Sequence, residues 1–303
     1  MCPGHYARRV TAELTVVIPT YQRPDLCRRS IASVRRVAEV IDVDIDLIVV
    51  EQGAEPSYSI PLDFSGRWLY SHRSGVSYAR NLGLAHAETP YVIFVDDDAE
   101  LLPGVSELLD AARQPGVDVV CGRMISSGGT TIRGTDRPRR IRPWNAFRLF
   151  VEPAAVWRTD SMNVVDGFDE RLGPANRLGA EEGAGLLARL SRTPGGRQAF
   201  VPADVVVHPE LGSTPDDKAR RYGAGTSGLM VLAPGTWSTI YAMSSVTRRV
   251  GGVIRSRLRG DRAGVAHRRA WLRGFASGVR TARSLRASPR NTPAADVLVR
   301  VES

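Results

Sequence analysis

The chain is predicted to adopt an α/β fold, a mainly parallel sheet flanked by helices and followed by a C-terminal helical extension, and three features of its 303 residues predict this. Short apolar runs rich in β-branched residues alternate with helical patterns through the first 120 residues, the signature of βαβ units. At 43% hydrophobic and 24% charged residues, the chain has apolar material for one large domain with an appendage, which excludes a disordered chain and a small stapled scaffold. Charge is distributed unevenly: residues 1–210 hold 24 Lys+Arg against 27 Asp+Glu, and residues 211–303 hold 17 against 5. The net charge of +9 therefore belongs to the last third, and every cation in the chain except Lys218 is Arg. Basicity of this kind points to an anionic partner surface.

Taken in order, Leu14 to Ile18 reads as a buried first strand ended by Pro19. Thr20-Tyr21-Gln22-Arg23 turns into a helix whose first residue is Pro24 and whose inner face is Cys27, Ile31, Val34 and Ala38. Ile45 to Val50 gives a second strand, Trp68 to Tyr70 a short third and Val76 to Ala87 a helix. Tyr91 to Val95 is a buried strand running directly into Asp96-Asp97-Asp98. Residues 122–143, rich in Gly, Ser and Arg, read as a long connection able to close over a ligand. Pattern resumes near Ala154, with a helix around 182–190 and strands at 197–201 and 205–207 that reach His208. Helices are expected at about 216–232, 237–258 and 262–284, followed by a Pro/Ser/Arg tail. The organisation expected is 1–122, 123–212 and a basic amphipathic extension, 213–303.

Cys2, Cys27 and Cys121 are odd in number and widely spaced, so neither a disulfide framework nor a zinc site is expected. The first ten residues lack the apolar run of a signal peptide, which gives a cytoplasmic expectation. Residues 222–247 are uncharged, but Pro234, the glycines and many Ser/Thr make them too polar for a membrane span.

Three consecutive carboxylates after a buried strand are costly: two charges about 5 Å apart at an effective dielectric near 20 repel by roughly 3 kcal/mol. In extended backbone Asp96 and Asp98 would share a face and converge on one hard cation, Mg²⁺ or Mn²⁺, leaving sites for diphosphate oxygens. The carboxyl end of such a sheet is where ligands bind. The plain alternative is a solvated acidic turn.

Four segments in order, Val16-Val17-Ile18-Pro19-Thr20-Tyr21-Gln22-Arg23, Ile48-Val49-Val50-Glu51-Gln52-Gly53, Gly75-Val76-Ser77-Tyr78-Ala79-Arg80-Asn81-Leu82-Gly83 and Phe94-Val95-Asp96-Asp97-Asp98, resemble the nucleotide-sugar half of family 2 glycosyltransferases. Asp166-Gly167-Phe168-Asp169-Glu170, Glu181-Glu182 and the stretch from Val201-Pro202-Ala203 to His208-Pro209 resemble the acceptor half. The resemblance spans about residues 14–210 and implies a GT-A fold, a nucleoside-diphosphate sugar donor, a divalent cation and inversion at the anomeric carbon. It implies nucleotide contacts for Pro19, Thr20, Tyr21 and Arg23, a base or ribose contact for Glu51 in place of the family's usual Asp, and a phosphate contact or loop lock for Arg80. By the same resemblance Asp98 is the chief metal ligand, with Asp96 and Asp97 near the nucleotide, Asp96 and His208 as further metal contacts, Glu182 as catalytic base and Asp169 in reserve. Two glutamates at a helix start also stabilise the helix dipole without any catalysis.

Between Ser244 and Thr292 there are 13 Arg and one acid, Asp261, interleaved with apolar residues at helical spacing. Basic amphipathic helices lie well at anionic membrane surfaces. No recognised module or stacking pattern supports nucleic acid, and simple packing on the catalytic domain is the remaining alternative. The expected acceptor is a carbohydrate or lipid-linked glycan in envelope polysaccharide, glycolipid or glycoconjugate synthesis. Competing readings are a nucleotidyltransferase and an inactive glycan- or nucleic-acid-binding protein.

Overall fold

The computed structural model describes residues 12–56, 66–174, 176–209, 215–292 and 297–302. Cys2 and the N-terminal segment on which the export expectation rests lie outside them.

The apolar runs form the strands β1 (Leu14–Tyr21), β2 (Ile45–Gln52), β3 (Gly66–Ser71) and β4 (Tyr91–Phe94), all buried over most of their length. They lie parallel in the order β3-β2-β1-β4. Helix α1 (Pro24–Ala38) begins at Pro24 as expected and buries Cys27, Ile31, Val34 and Val37, and α2 (Val76–Ala85) follows β3. Cys27 and Cys121 are buried free thiols.

A short strand β5 (Glu100–Leu101) and helix α3 (Val105–Ala112) lead to β6 (Val117–Ser126). The long connection expected from residue 122 is therefore corrected. β6 continues to Ser126, β7 (Thr131–Arg133) folds back on it and β8 (Arg139–Arg140) pairs with a later strand. The Gly-rich composition marks tight turns between strands whose pairing comes from tertiary neighbours, which local sequence does not encode. The 122/123 division expected falls inside β6, and one sheet runs across it.

After α4 (Ala146–Leu149) come β9 (Ala155–Arg158), α5 (Thr159–Val164), α6 (Glu182–Leu190) and β10 (Arg197–His208). β9 is inserted antiparallel between β4 and β6, joining the two parallel blocks. β10 runs parallel to β6 as one strand, with the register broken between Phe200 and Asp204. Pro202 has no N–H for the ladder, so it sits in that bulge, which accounts for the two strands read from sequence.

The extension consists of α7 (Asp216–Leu232), α8 (Thr236–Leu258) and α9 (Arg262–Leu285). α7 and α9 approach closely enough that a Cβ on Gly223 would overlap the Trp271 backbone and one on Gly274 the Arg220 backbone. The tail carries a strand absent from the sequence reading, β11 (Leu298–Glu302), which covers β3 at the sheet edge.

Candidate active site

The carboxyl ends of β1, β2 and β4 bring the first group of expected residues together. Thr20 on β1 is in register with Glu51 on β2, and both are buried. The Thr20 hydroxyl donates to Asp97 Oδ2 at 2.8 Å, and Arg23 Nη1 donates to Asp97 Oδ1 at 3.3 Å. Burial pushes the Asp97 pKa up against these two partners. Asp97 thus braces the turn after β1, while Tyr21 is 51% exposed beside it.

Asp96 and Asp98 do converge, although strand alternation is not the cause. β4 ends at Phe94, and the acids sit in a turn closed by the Ala99 amide on the Asp96 carbonyl at 3.0 Å. His208, the last residue of β10, completes the group: one ligand atom each from Asp96, Asp98 and His208 lies within 4.8 Å of the others. His208 Nε2 is 3.4 Å from Asp98 Oδ1, and its Nδ1 is 2.8 Å from the Pro209 carbonyl. Asp98 raises the His208 pKa to about 8, while the same contact lowers that of Asp98. Two carboxylates and one imidazole form a donor set suited to a divalent cation such as Mn²⁺.

Arg80 reaches this cluster from α2. It is 3% exposed, its Nη2 is 2.9 Å from Asp96 Oδ1 and its Nη1 is 3.4 Å from Glu182 Oε1. Both η nitrogens are thus engaged by the protein, and one guanidinium spans the acidic cluster and the start of α6. Burial alone would lower the Arg80 pKa; Asp96 and Glu182 hold it above its ordinary value. The adjacent Asn81 clamps the Asp166–Glu170 segment, with its Nδ2 on the Phe168 carbonyl at 3.0 Å and its Oδ1 accepting from the Phe168 amide at 2.8 Å.

Glu182 opens α6 and is buried. Desolvation and the nearby Glu152 push its pKa well above the ordinary carboxylate range, against the pull of Arg80. Glu152 itself accepts from the Gly183 amide at 3.0 Å. Glu181 takes a left-handed conformation, φ 77°, and its carboxyl is held from the extension by Thr226 Oγ1 at 2.6 Å and Tyr241 OH at 2.7 Å. The three glutamates line a cavity of about 230 Å³ between α6 and the extension, which Arg133, Arg248 and Arg249 also border.

The other carboxylate expected as a base, Asp169, is differently placed. It is 1% exposed and gripped at both oxygens by Arg171, at 2.8 Å and 2.7 Å. Both of its carboxylate oxygens are thus committed to one guanidinium. Glu152 and the cavity arginines were missed from sequence. The available signal was one acid, Glu152, flanked by Phe150-Val151 and Pro153-Ala154-Ala155.

Comparison with known proteins bears on the family and the fold. The Glycosyl transferase family 2 profile matches residues 15–168. Curated relatives, pre-mycofactocin glycosyltransferases from two strains of Mycobacterium tuberculosis, are 26% identical over 243 residues, covering 73% of this chain. The chain spans 48% of the length of those relatives. Among solved structures, the mannosyltransferase PcManGT from Pyrobaculum calidifontis in complex with GDP-Man and Mn²⁺ superposes with a TM-score of 0.58 at 14% identity, covering 88% of this chain and 87% of that one. TarS from S. aureus, residues 1–349 in complex with UDP-GlcNAc, gives a TM-score of 0.51 at 13% identity over 91% and 93% of the two chains. The fold is GT-A, and with the profile covering half its length the chain belongs to glycosyl transferase family 2.

Proposed function

We propose that this glycosyltransferase moves a hexosyl group from a nucleoside-diphosphate sugar to an acceptor hydroxyl with inversion, using a divalent cation at Asp96, Asp98 and His208 and Glu182 as the base. The observation that carries this reading is the Arg80 bridge, 2.9 Å to Asp96 and 3.4 Å to Glu182, which sets a cation-type donor cluster one guanidinium away from a carboxylate of raised pKa. Such a pairing gives one group of acids to the leaving diphosphate and one to the acceptor proton.

In the proposed reaction, Glu182 takes the proton of the acceptor hydroxyl as its oxygen bonds to the anomeric carbon. The bond to the diphosphate breaks on the opposite face, and one displacement inverts the centre. A bound cation would supply positive charge against the diphosphate. Arg80 favours the ionised form of Glu182 against burial and fixes Asp96, while Thr20 and Arg23 hold Asp97 so that the turn presents Asp96 and Asp98. Tyr21, Arg23 and Glu51 border the region assigned to the nucleotide. The donor complexes of PcManGT and TarS support a nucleotide-sugar donor without choosing its base.

The acceptor is proposed to be a carbohydrate or lipid-linked glycan reached from a membrane surface. Among the described residues no helix is long and apolar enough to cross a membrane. Supporting peripheral attachment, Ile240, Met243, Val250, Ile254 and Leu258 are exposed at helical spacing on α8, whose last turn also carries Arg255 and Arg257. Trp271 on α9 is buried against the Gly223 region of α7 and takes no part in this exposed stripe.

Thermal-shift screening of nucleotide sugars with and without Mn²⁺ tests the proposal, since a true donor stabilises the fold by mass action. Asp98→Ala should abolish transfer and the Mn²⁺-dependent part of the shift while the protein stays folded. Unchanged metal-dependent affinity would remove the metal assignment, and release of pyrophosphate instead of nucleoside diphosphate would favour a nucleotidyltransferase.

A further inference from the structure

We infer that the cleft beside Glu182 receives an acceptor that carries a phosphate group, bound by Arg133, Arg248 and Arg249. This rests on the reading of Glu182 as the group facing the acceptor. The three arginines border the same cavity of about 230 Å³ as the catalytic glutamate. Among the described residues none of them forms an ion pair. Arg133 donates to the Phe147 carbonyl at 2.8 Å, Arg248 lies over the Phe147 ring at 4.0 Å and Arg249 lies over the Trp271 ring at 5.2 Å. The Arg249 Nε is buried without a hydrogen-bond partner.

Guanidinium groups gathered this way repel one another. Burial, together with Arg248, Arg268 and Arg133, pushes Arg249 down to about 10. The three acids of the cleft have partners of their own: Glu152 accepts from the Gly183 amide, Glu181 is held by Thr226 and Tyr241, and Glu182 is paired with Arg80. A second cavity of about 320 Å³ extends the same surface outward past Arg248, Arg249, Arg255 and Arg268, with no acid in its lining. Several planar donors converging from different elements suit a tetrahedral oxyanion with oxygens facing each of them, and a single carboxylate would satisfy one fork. A phosphate docked there would hold a neighbouring hydroxyl of the same molecule toward Glu182.

The phosphate could belong to a soluble phosphorylated glycan or polyol, or to a lipid headgroup, and two arms of one experiment separate these. The full chain is titrated calorimetrically with glycerol 3-phosphate and with glycerol, and sedimented with vesicles of phosphatidylglycerol or of phosphatidylcholine. Glycerol 3-phosphate should bind and glycerol should not. Arg249→Gln should weaken that binding at least tenfold, and Arg248→Gln with Arg249→Gln further, with melting temperatures near wild type. If both variants also leave phosphatidylglycerol vesicles, the phosphate is a lipid's; if only the titration responds, it is a soluble acceptor's. Equal binding of glycerol and glycerol 3-phosphate, or wild-type affinity in the double variant, overturns the inference. GDP and UDP with Mn²⁺ provide the separate check. Their thermal shift should survive in both variants, and its absence from the wild type would overturn the glycosyltransferase mechanism while leaving the phosphate site in place.

Discussion

Replacing Arg80 by Met removes the cation that contacts both Asp96 and Glu182, and the structure sets the size of the effect. At 2.9 Å and 3.4 Å the two ion pairs amount to roughly 5–6 kcal/mol each at an effective dielectric near 20, before desolvation is subtracted. Removing one partner of a buried pair leaves uncompensated charge, at a cost of about 3–5 kcal/mol in stability, or roughly 10 °C in melting temperature for a domain of this size. The Glu182 pKa is already raised while Arg80 pulls it down, so loss of Arg80 raises it further. Transfer at neutral pH should then fall by roughly 10²–10³ and recover as pH increases. The assay is a pH–rate profile under saturating donor, alongside a melting curve. Arg80→Lys should lie between, because an ammonium keeps the charge but cannot reach both acids. An acidic limb at the wild-type pH in Arg80→Met, with an unchanged melting temperature, would show that Arg80 neither ionises Glu182 nor bridges the halves in solution.

Glu182→Gln should lower transfer by about 10²–10⁴ with donor affinity little changed, whereas Asp169→Asn should be milder in transfer. Glu182→Gln should also stabilise the fold at pH 8 and not at pH 4. A folded-state pKa above the ordinary 4.5 means that the ionised carboxylate penalises folding only as pH rises through that window, which paired melting curves would read. Glu152→Gln removes a like charge beside Glu182, so the acidic limb of the rate profile should move to lower pH; a limb that stays put would remove Glu152 from the site's electrostatics. Ile254→Asp with Leu258→Asp should cost binding to phosphatidylglycerol vesicles by at least tenfold, since each side chain loses about 1 kcal/mol or more of interfacial burial. A full-length protein that ignores such vesicles at low salt would end the membrane reading and leave the helices a packing role.

Much of this was legible because it is local. Pro24 at a helix start, an apolar run ending in three acids and a pair of glutamates opening a helix all follow from backbone chemistry within a few residues. What failed depended on distant partners. β7, β8 and β11 exist through their pairing with β6, β10 and β3, so composition alone read them as loop and tail. Asp96 and Asp98 met for a reason unlike the one expected, a turn closed by the Ala99 amide. Glu152 was invisible for a similar reason: its role comes from an amide 31 positions away.

The extension supports the segment that carries the proposed base. Glu181 holds a strained left-handed backbone at the start of α6, and the groups that satisfy its buried carboxyl, Thr226 and Tyr241, come from α7 and α8. Without them a carboxyl next to the proposed base would lose both of its hydrogen bonds in a buried site, costing about 1–3 kcal/mol for each unmet group. α9 is in turn held against α7 by backbone contact at Gly223 and Gly274, which any larger side chain would force apart. Truncating the chain at residue 244 would therefore disturb α7, and through Thr226 the Glu181-Glu182 pair, so a loss of membrane binding in that truncation would not distinguish attachment from unfolding. Substitutions confined to the exposed stripe of α8 leave these contacts intact, because Ile254 and Leu258 are 56% and 84% exposed. A defect in vesicle binding at those positions, with transfer to a soluble acceptor preserved, would separate the surface that finds the membrane from the cleft that performs the transfer.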